Sequence, residues 1–400
     1  MWSYSPIKTA IILGPLIFCS ALALDVYMPV LPEMKNLFHT SQGAIQLSVS
    51  IFFLICGLGQ LILGPVSDQI GRIKVVWTSI MLCLLGAIGC AVSESIGIFL
   101  TFRTIEALGA AGLSMSAFAI VRDVFDGENS AKIYGIINGM LALSPILGPI
   151  IGVALITRYP WYSTFYFLAC LSILTGLVFK VWGKESLDKA NRTGFSWSIF
   201  SRYMIIIKSI HFWSFTLPAV AGMSSFFALF SITPYIIESL GLPKVTIVYS
   251  FGTVGLSFML GSFLMGKIVQ NIGLFKTTIL GVLLIFVSGV ALIIFYQLWG
   301  LNLYVFFGPC TVATFGCALA VGAGAGGALE PFGQYPGVAS AMFGCMQLGG
   351  SSVIGTISGL FAVNTSYPLA ITMIFTSLIA LIVIFLKINS EKILYQTQLL

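Results

Sequence analysis

Gly64-Pro65-Val66-Ser67-Asp68-Gln69-Ile70-Gly71 closes one long apolar run, and half the chain later Gly266-Lys267-Ile268-Val269-Gln270-Asn271-Ile272-Gly273 closes another. A short polar turn, repeated at that distance between apolar segments, implies two similar halves. The surrounding composition says what kind of halves they are. Of 400 residues, 58% are hydrophobic and 8% charged, against about a quarter charged in soluble proteins. With a mean hydropathy of +1.04, a soluble enzyme, a nucleic-acid-binding protein and a disordered scaffold are excluded. A bilayer crossing takes about 20 apolar residues as a helix. Twelve such spans are predicted, at 9–31, 45–66, 75–93, 96–121, 132–156, 161–182, 209–234, 246–266, 275–296, 300–324, 337–361 and 366–386. The apolar runs are continuous, as in Thr277–Phe295, whereas the strands of a transmembrane barrel alternate. The expected fold class is therefore all-α integral membrane, with twelve transmembrane helices in two six-helix pseudo-symmetric halves.

The expected division is an N-terminal half at 1–182, a cytoplasmic linker at 183–208 carrying Lys184, Glu185, Asp188, Lys189, Arg192 and Arg202, and a C-terminal half at 209–400. Lys and Arg give the orientation. With both termini inside, only Lys35, Arg158 and Lys244 lie outside, and every other basic residue except Arg103 falls on the inner side, as the positive-inside rule requires. The net charge of +6 then reports topology and a weak affinity for anionic lipid, with no call for nucleic acid. Lys8 and the apolar stretch after it resemble the start of a secretory signal, but that stretch runs on to Leu31 and is long enough to span. All eight cysteines fall in predicted spans at no metal-ligand spacing and read as packing residues. No metal or cofactor is expected. His39 and His211 stand near no cysteine or carboxylate cluster, so no catalytic constellation is read, and there is no nucleotide-binding loop.

A charge inside a bilayer costs about 2.5–3.5 kcal/mol on insertion scales and marks a functional site by default. Three such residues stand out: Asp25 in the first span, and Arg103 and Glu106 in the fourth. Arg103 and Glu106 are three apart and share a helix face. A guanidinium keeps its charge in lipid and needs a carboxylate or a wet cavity. Either Glu106 neutralises Arg103 locally or it adds a second protonatable site facing Asp25. Asp25 itself is either a coupling site or a cap nearer the outer surface. In the fifth span Ser144, Gly148 and Gly152 recur every four positions beside Pro145 and Pro149, a small face on which a neighbouring backbone can lie closely. At the inner end of the fourth span, Arg122-Asp123-Val124-Phe125-Asp126 offers either a solvated turn or an ion-pair latch for the loop at 64–72. Phe226, Phe227, Phe230 and Tyr235, with Phe251 and Phe258, form a candidate aromatic wall for apolar ligands.

The loop Gly64, Asp68, Gly71 and Arg72 resembles the signature loop of the major facilitator superfamily, G-x-x-x-D-R-x-G-R-R/K, departing from it at Gln69 and Ile73. The string Asp25-Val-Tyr27-Met-Pro29-Val-Leu-Pro32 resembles a segment of its bicyclomycin-resistance (Bcr/CflA) drug:proton antiporters. So do Gln60-Leu-Ile-Leu-Gly64-Pro65, Ala328-Leu-Glu330-Pro331-Phe332 and Arg122-Asp123-Val-Phe-Asp126-Gly127. Ser144–Gly152 is similar to the antiporter motif G-x-x-x-G-P-x-x-G-G with Val153 in place of the last glycine, and Arg103–Gly112 is similar to R-x-x-Q-G-x-G with Glu106 in place of glutamine. The resemblance implies a proton-coupled exporter of lipophilic neutral or cationic drugs in a bacterial inner membrane, working by alternating access and acting as a monomer. It implies proton coupling at Asp25, Arg103 and Glu106, and a substrate cavity with Tyr27, Gln60, Phe226, Phe230, Tyr235 and Gln347. The gating loop would hold Gly64, Asp68, Gly71, Arg72, Arg122 and Asp123. The alternative is a carrier of the same fold for a small polar metabolite, which would need matched polar anchors in both halves.

Overall fold

A computed structural model of the chain describes residues 2–125, 127–188, 192, 198–243, 245–334, 336–359 and 365–398. Asp126, Lys189 and Lys244, read above, lie outside them. Among the described residues every regular element is helical, because within lipid each backbone N–H and C=O needs a partner in its own segment. The first half runs α1 (Pro6–Asp25), α2 (Leu31–Leu37), α3 (Gln42–Ile70), α4 (Arg72–Ala91), α5 (Ile96–Val124), α6 (Gly127–Ile156) and α7 (Ser163–Trp182). After α8 (Ser198–Ile207) come α9 (Ile210–Ser239), α10 (Val245–Ile272), α11 (Leu274–Trp299) and α12 (Leu303–Leu329). The chain closes with α13 (Pro336–Cys345), α14 (Ser351–Gly359) and α15 (Tyr367–Gln398). Twelve helical stretches are long and apolar enough to cross a membrane, one for each predicted span. Side-chain caps set several of their starts: the Ser41, Ser95, Ser209 and Asn302 oxygens accept from the backbone N–H three residues on.

Two spans are broken where the sequence reads as continuous. In the first, α1 stops at Asp25, a short 3-10 turn holds Met28–Val30, and α2 begins at Leu31. Pro29 and Pro32 cause the break, since neither has an N–H for the carbonyl four residues earlier, at Asp25 and Met28. In the eleventh, a π-helical segment at Met346–Gly350 separates α13 from α14. Part of the predicted linker at 183–208 is helical, at Ser198–Ile207. Within it, α8 lays Ile206 into a buried cluster with Phe212, Phe215, Phe332, Met342 and Phe343. The Trp213 Nε1–H donates to the Ile207 carbonyl at 2.6 Å.

The chain divides into two compact units, Met1–Ser196 with Gly241–Gly252, and Trp197–Leu240 with Thr253–Leu400. In the first, α5 lies against α1, α3 and α4, α1 also packs on α6 and α7, and α4 packs on α7. In the second, α9 lies against α12, α14 and α15, and α11 packs on α12 and α15. Numbered by span, the pairs 1–4, 1–5, 1–6, 3–4 and 3–6 of one unit are the pairs 7–10, 7–11, 7–12, 9–10 and 9–12 of the other. The repeated turns share a conformation as well. Gly71 (φ 98, ψ 156) and Gly273 (φ 83, ψ 165) both occupy backbone space that only glycine enters readily, and each starts the next helix. Gly64 and Gly266 sit in open space within their helices, so only the last glycine of each turn is demanded by geometry.

Candidate functional site

The break in the first span puts Asp25 on the last residue of α1, 7% exposed. There α6 supplies the partner: the Ser144 hydroxyl donates to Asp25 Oδ2 at 2.6 Å. The small face of α6 makes this approach possible. A Cβ on Gly148 would collide with the Cβ of Asp25, and one on Gly152 with the Val26 carbonyl. Ser144, Gly148 and Gly152 thus lie along the end of α1, with Pro145 and Pro149 inside the helix that carries them.

Arg103, fully buried on α5, takes different partners. Its Nη1–H donates to Glu106 Oε2 at 2.7 Å and to the Ala23 carbonyl at 3.1 Å. Ala23 belongs to the last turn of α1, where carbonyls lack helical partners and the helix dipole favours a cation. The guanidinium carbon lies 4.3 Å from the ring centre of Tyr27 and 4.4 Å from that of Phe52, with Phe165 at 5.8 Å. Such ring faces attract a desolvated cation. Arg103 Nε and Nη2 have no hydrogen-bond partner among the described residues. Ser48 Oγ donates to the Ile45 carbonyl at 2.6 Å, so in the 3.1 Å contact between the two hydroxyls Tyr27 is the donor. Glu106, 1% exposed, also receives the Cys90 thiol at 4.0 Å. Of the two sequence alternatives for Glu106, the geometry has the local ion pair with Arg103 formed, while Asp25 is held by a neutral hydroxyl.

The loop at 64–72 forms a second polar cluster in the same unit. Arg72, 2% exposed, grips Asp123 with two N–H groups, Nε to Oδ2 at 2.8 Å and Nη2 to Oδ1 at 3.2 Å. Its Nη1 reaches Asp68 Oδ1 at 2.6 Å and Ser67 Oγ at 2.9 Å. A two-pronged guanidinium–carboxylate contact is among the stronger hydrogen-bonded pairs. Arg122 points outward and is exposed. The segment after α7 joins this cluster, a role its sequence does not signal. Glu185 Oε1 accepts the backbone N–H of Arg72 at 2.9 Å, and Ser186 Oγ donates to Asp123 Oδ2 at 3.0 Å. A Cβ on Gly71 would meet Glu185 Oε2 at 2.5 Å and Arg192 Nη2 at 2.6 Å.

The remaining cavity candidates are spread over both units. Gln60 is half-buried on α3, two turns beyond Phe52. In the second unit the Phe226 ring lies tilted against Phe230 at 4.5 Å and against Phe258 at 5.5 Å between ring centres. Tyr235 is buried near the end of the same helix, as is Phe251 on α10, in the segment that clusters with the first unit. Gln347 lies in the π-helical segment, a distortion that recurs at functional sites. Lys387, 7% exposed, lies over the rings of Phe275 at 4.5 Å and Phe215 at 5.0 Å. Among the described residues no group of three or more His, Cys, Asp or Glu is placed to hold a metal. Phe52, Phe165 and Ser48 were invisible as site residues in the sequence, because ordinary aromatics and serines abound in every span.

Comparison with known proteins agrees with this architecture. The sequence profile of the Major Facilitator Superfamily matches residues 13–355. A chloramphenicol resistance protein of Pseudomonas aeruginosa is 30% identical over 378 residues, covering 92% of this chain and 88% of that protein. The multidrug resistance protein MdtL of Salmonella typhimurium is 26% identical over 375 residues, with 90% of each chain covered. Among solved structures, a bacterial homologue of the human lysosomal transporter Spinster aligns with a TM-score of 0.72 at 16% identity, covering 94% of this chain and 95% of that one. A peptide transporter POT aligns at 0.77 and 12% identity, covering 96% and 94%. At such identities these two speak for the fold alone.

Proposed function

We propose that this chain, which belongs to the Major Facilitator Superfamily of membrane transporters, exports lipophilic neutral or cationic drugs in exchange for protons. It is a multi-pass membrane protein of a transporter family and not an enzyme. In the proposed cycle the two units alternate access to the two sides of a bacterial inner membrane, with both termini cytoplasmic. Drug released on the outer side is exchanged for a proton that enters from that same side and is given up inside. The chloramphenicol and multidrug resistance relatives support the drug substrate.

One observation carries the coupling: two carboxylates are buried in one unit, and they are bound differently. Glu106 has the Arg103 guanidinium at 2.7 Å, so that charge is already balanced. Asp25 has the Ser144 hydroxyl and, among the described residues, no cation in an ion pair. An unbalanced carboxylate in an apolar interior is costly, and a proton or a cationic drug balances it equally well. Competition between the two at Asp25 is the simplest form of exchange. Arg103 fixes the end of α1 and keeps a cation at constant distance from that site, and Glu106 holds Arg103 in place.

The test is antibiotic susceptibility of an efflux-deficient bacterial host expressing wild type or Asp25→Asn at matched membrane levels, with dye efflux from energised vesicles. Asp25→Asn should abolish gradient-driven export of cationic dyes while leaving the protein in the membrane. Undiminished export by the variant would overturn the assignment of Asp25. Saturable uptake of one polar metabolite, with no response to any drug, would favour the carrier reading over drug export.

A further inference from the structure

The side chain of Gln46, on α3, is 4% exposed, and neither its amide nitrogen nor its amide oxygen has a hydrogen-bond partner among the described residues. One turn earlier, the amide nitrogen of Gln42 is also buried without a partner. Burying an amide with neither atom satisfied is expensive, and more so where lipid and packed protein exclude water. An apolar residue of the same length would pack there at no such cost. A polar side chain left in this condition fits a position whose partner arrives from outside the fold.

The geometry of α3 says where that partner would sit. One face of the helix serves the fold and the coupling site: Phe52 lies on Arg103, the Cys56 thiol donates to the Ala107 carbonyl at 3.4 Å, and Gly59 packs on Ala111. Gln42, Gln46 and Gln60 fall on a line about 100° round from that face, Gln60 about five turns beyond Gln42. Three glutamines on one line form a neutral polar stripe. Gln46 is also two residues before Ser48, about 3 Å of helix rise, and Ser48 holds the Tyr27 hydroxyl beside Arg103. The orphaned amide is thus within a turn of Ser48 in depth but about 160° round the helix from it, so its partner would approach α3 from the side away from Arg103.

We infer that Gln46 is a substrate-recognition residue that hydrogen-bonds neutral polar groups, amides and hydroxyls, of the exported drug. This rests on the drug-export reading above. An uncharged side chain that both donates and accepts matches an uncharged group that does the same. It contributes little to a cation without hydrogen-bonding atoms, which leaves charge recognition to Asp25 and gives the carrier separate contacts for its two drug classes.

The experiment measures binding and export of two probes by full-length wild type and Gln46→Met. Chloramphenicol is neutral and carries an amide and two hydroxyls. Tetraphenylphosphonium is a cation with no hydrogen-bonding atom. Gln46→Met should raise the Kd for chloramphenicol about 3- to 10-fold, the effect of one lost neutral hydrogen bond, and leave that for tetraphenylphosphonium within twofold. The ligand-free variant should melt no lower than wild type, because the lost groups were unsatisfied. An unchanged chloramphenicol Kd, or equal weakening for both probes, overturns the inference, the second result assigning Gln46 to folding or to conformational balance. Wild type binding neither probe would refute the drug-export reading itself, and wild type binding only the cation would refute the inference alone.

Discussion

Replacing Glu106 by leucine isolates the buried ion pair of the fourth span. In the native protein the Arg103 guanidinium is fully buried and its charge is met by Glu106 Oε2 at 2.7 Å, the Ala23 carbonyl at 3.1 Å and the faces of Tyr27 and Phe52. Glu106→Leu removes the one countercharge among these contacts and leaves the others, so Arg103 becomes a buried cation held by one carbonyl and aromatic rings. Breaking a buried pair in this way costs about 3–5 kcal/mol. A unit of this size loses roughly 2–4 °C of Tm per kcal/mol, so the expected fall is about 6–20 °C. Glu106→Gln keeps an oxygen that can accept from Nη1 and should fall between wild type and leucine. The double variant Arg103→Met/Glu106→Leu removes both charges and should recover most of the loss, since an apolar pair of similar volume replaces a buried ion pair at little cost. Thermal unfolding in detergent, followed with a thiol-reactive dye, suits this chain because every cysteine but Cys170 is buried. A fall of less than about 2 °C for Glu106→Leu, or a double variant as unstable as the single, would refute the claim that Glu106 exists to balance Arg103.

Other consequences are equally direct. Ser144→Ala removes the hydroxyl that holds Asp25 at 2.6 Å and should slow proton-driven export in vesicles several-fold at unchanged expression, with Ser144→Thr restoring it. The two repeated turns provide an internal comparison: Gly71→Ala and Gly273→Ala share the same backbone strain of about 1–3 kcal/mol, but only at Gly71 does the new Cβ also strike Glu185 and Arg192. Gly71→Ala should therefore lower Tm more than Gly273→Ala. Equal losses would mean that the Glu185 contact adds nothing to the loop.

Much of the fold is readable from hydropathy because lipid imposes a simple rule, that apolar runs of bilayer length become helices. All twelve spans appear in that way. The breaks inside the first and eleventh spans do not, since an average over about 20 residues is insensitive to two prolines or to a five-residue π segment. The site divides along similar lines. Asp25, Arg103 and Glu106 stand out in the sequence because charge is rare in a span, and the helical period alone puts Arg103 and Glu106 on one face. Ser144 reads only as one of several small residues, and Glu185 only as one of several linker charges.

What the sequence determined by itself was the number of spans, the division into similar halves and the identity of the charged groups in lipid, since each follows from local composition or helical period. What only the tertiary structure decided was which partner each charge takes. Arg103 with Glu106, Asp25 with Ser144, and Arg72 with Asp123 depend on side-chain approaches of a few ångströms, and all but the first join different helices. Those approaches are set by close packing of small residues such as Gly148 against α1, and packing between distant segments leaves no periodic mark on either one.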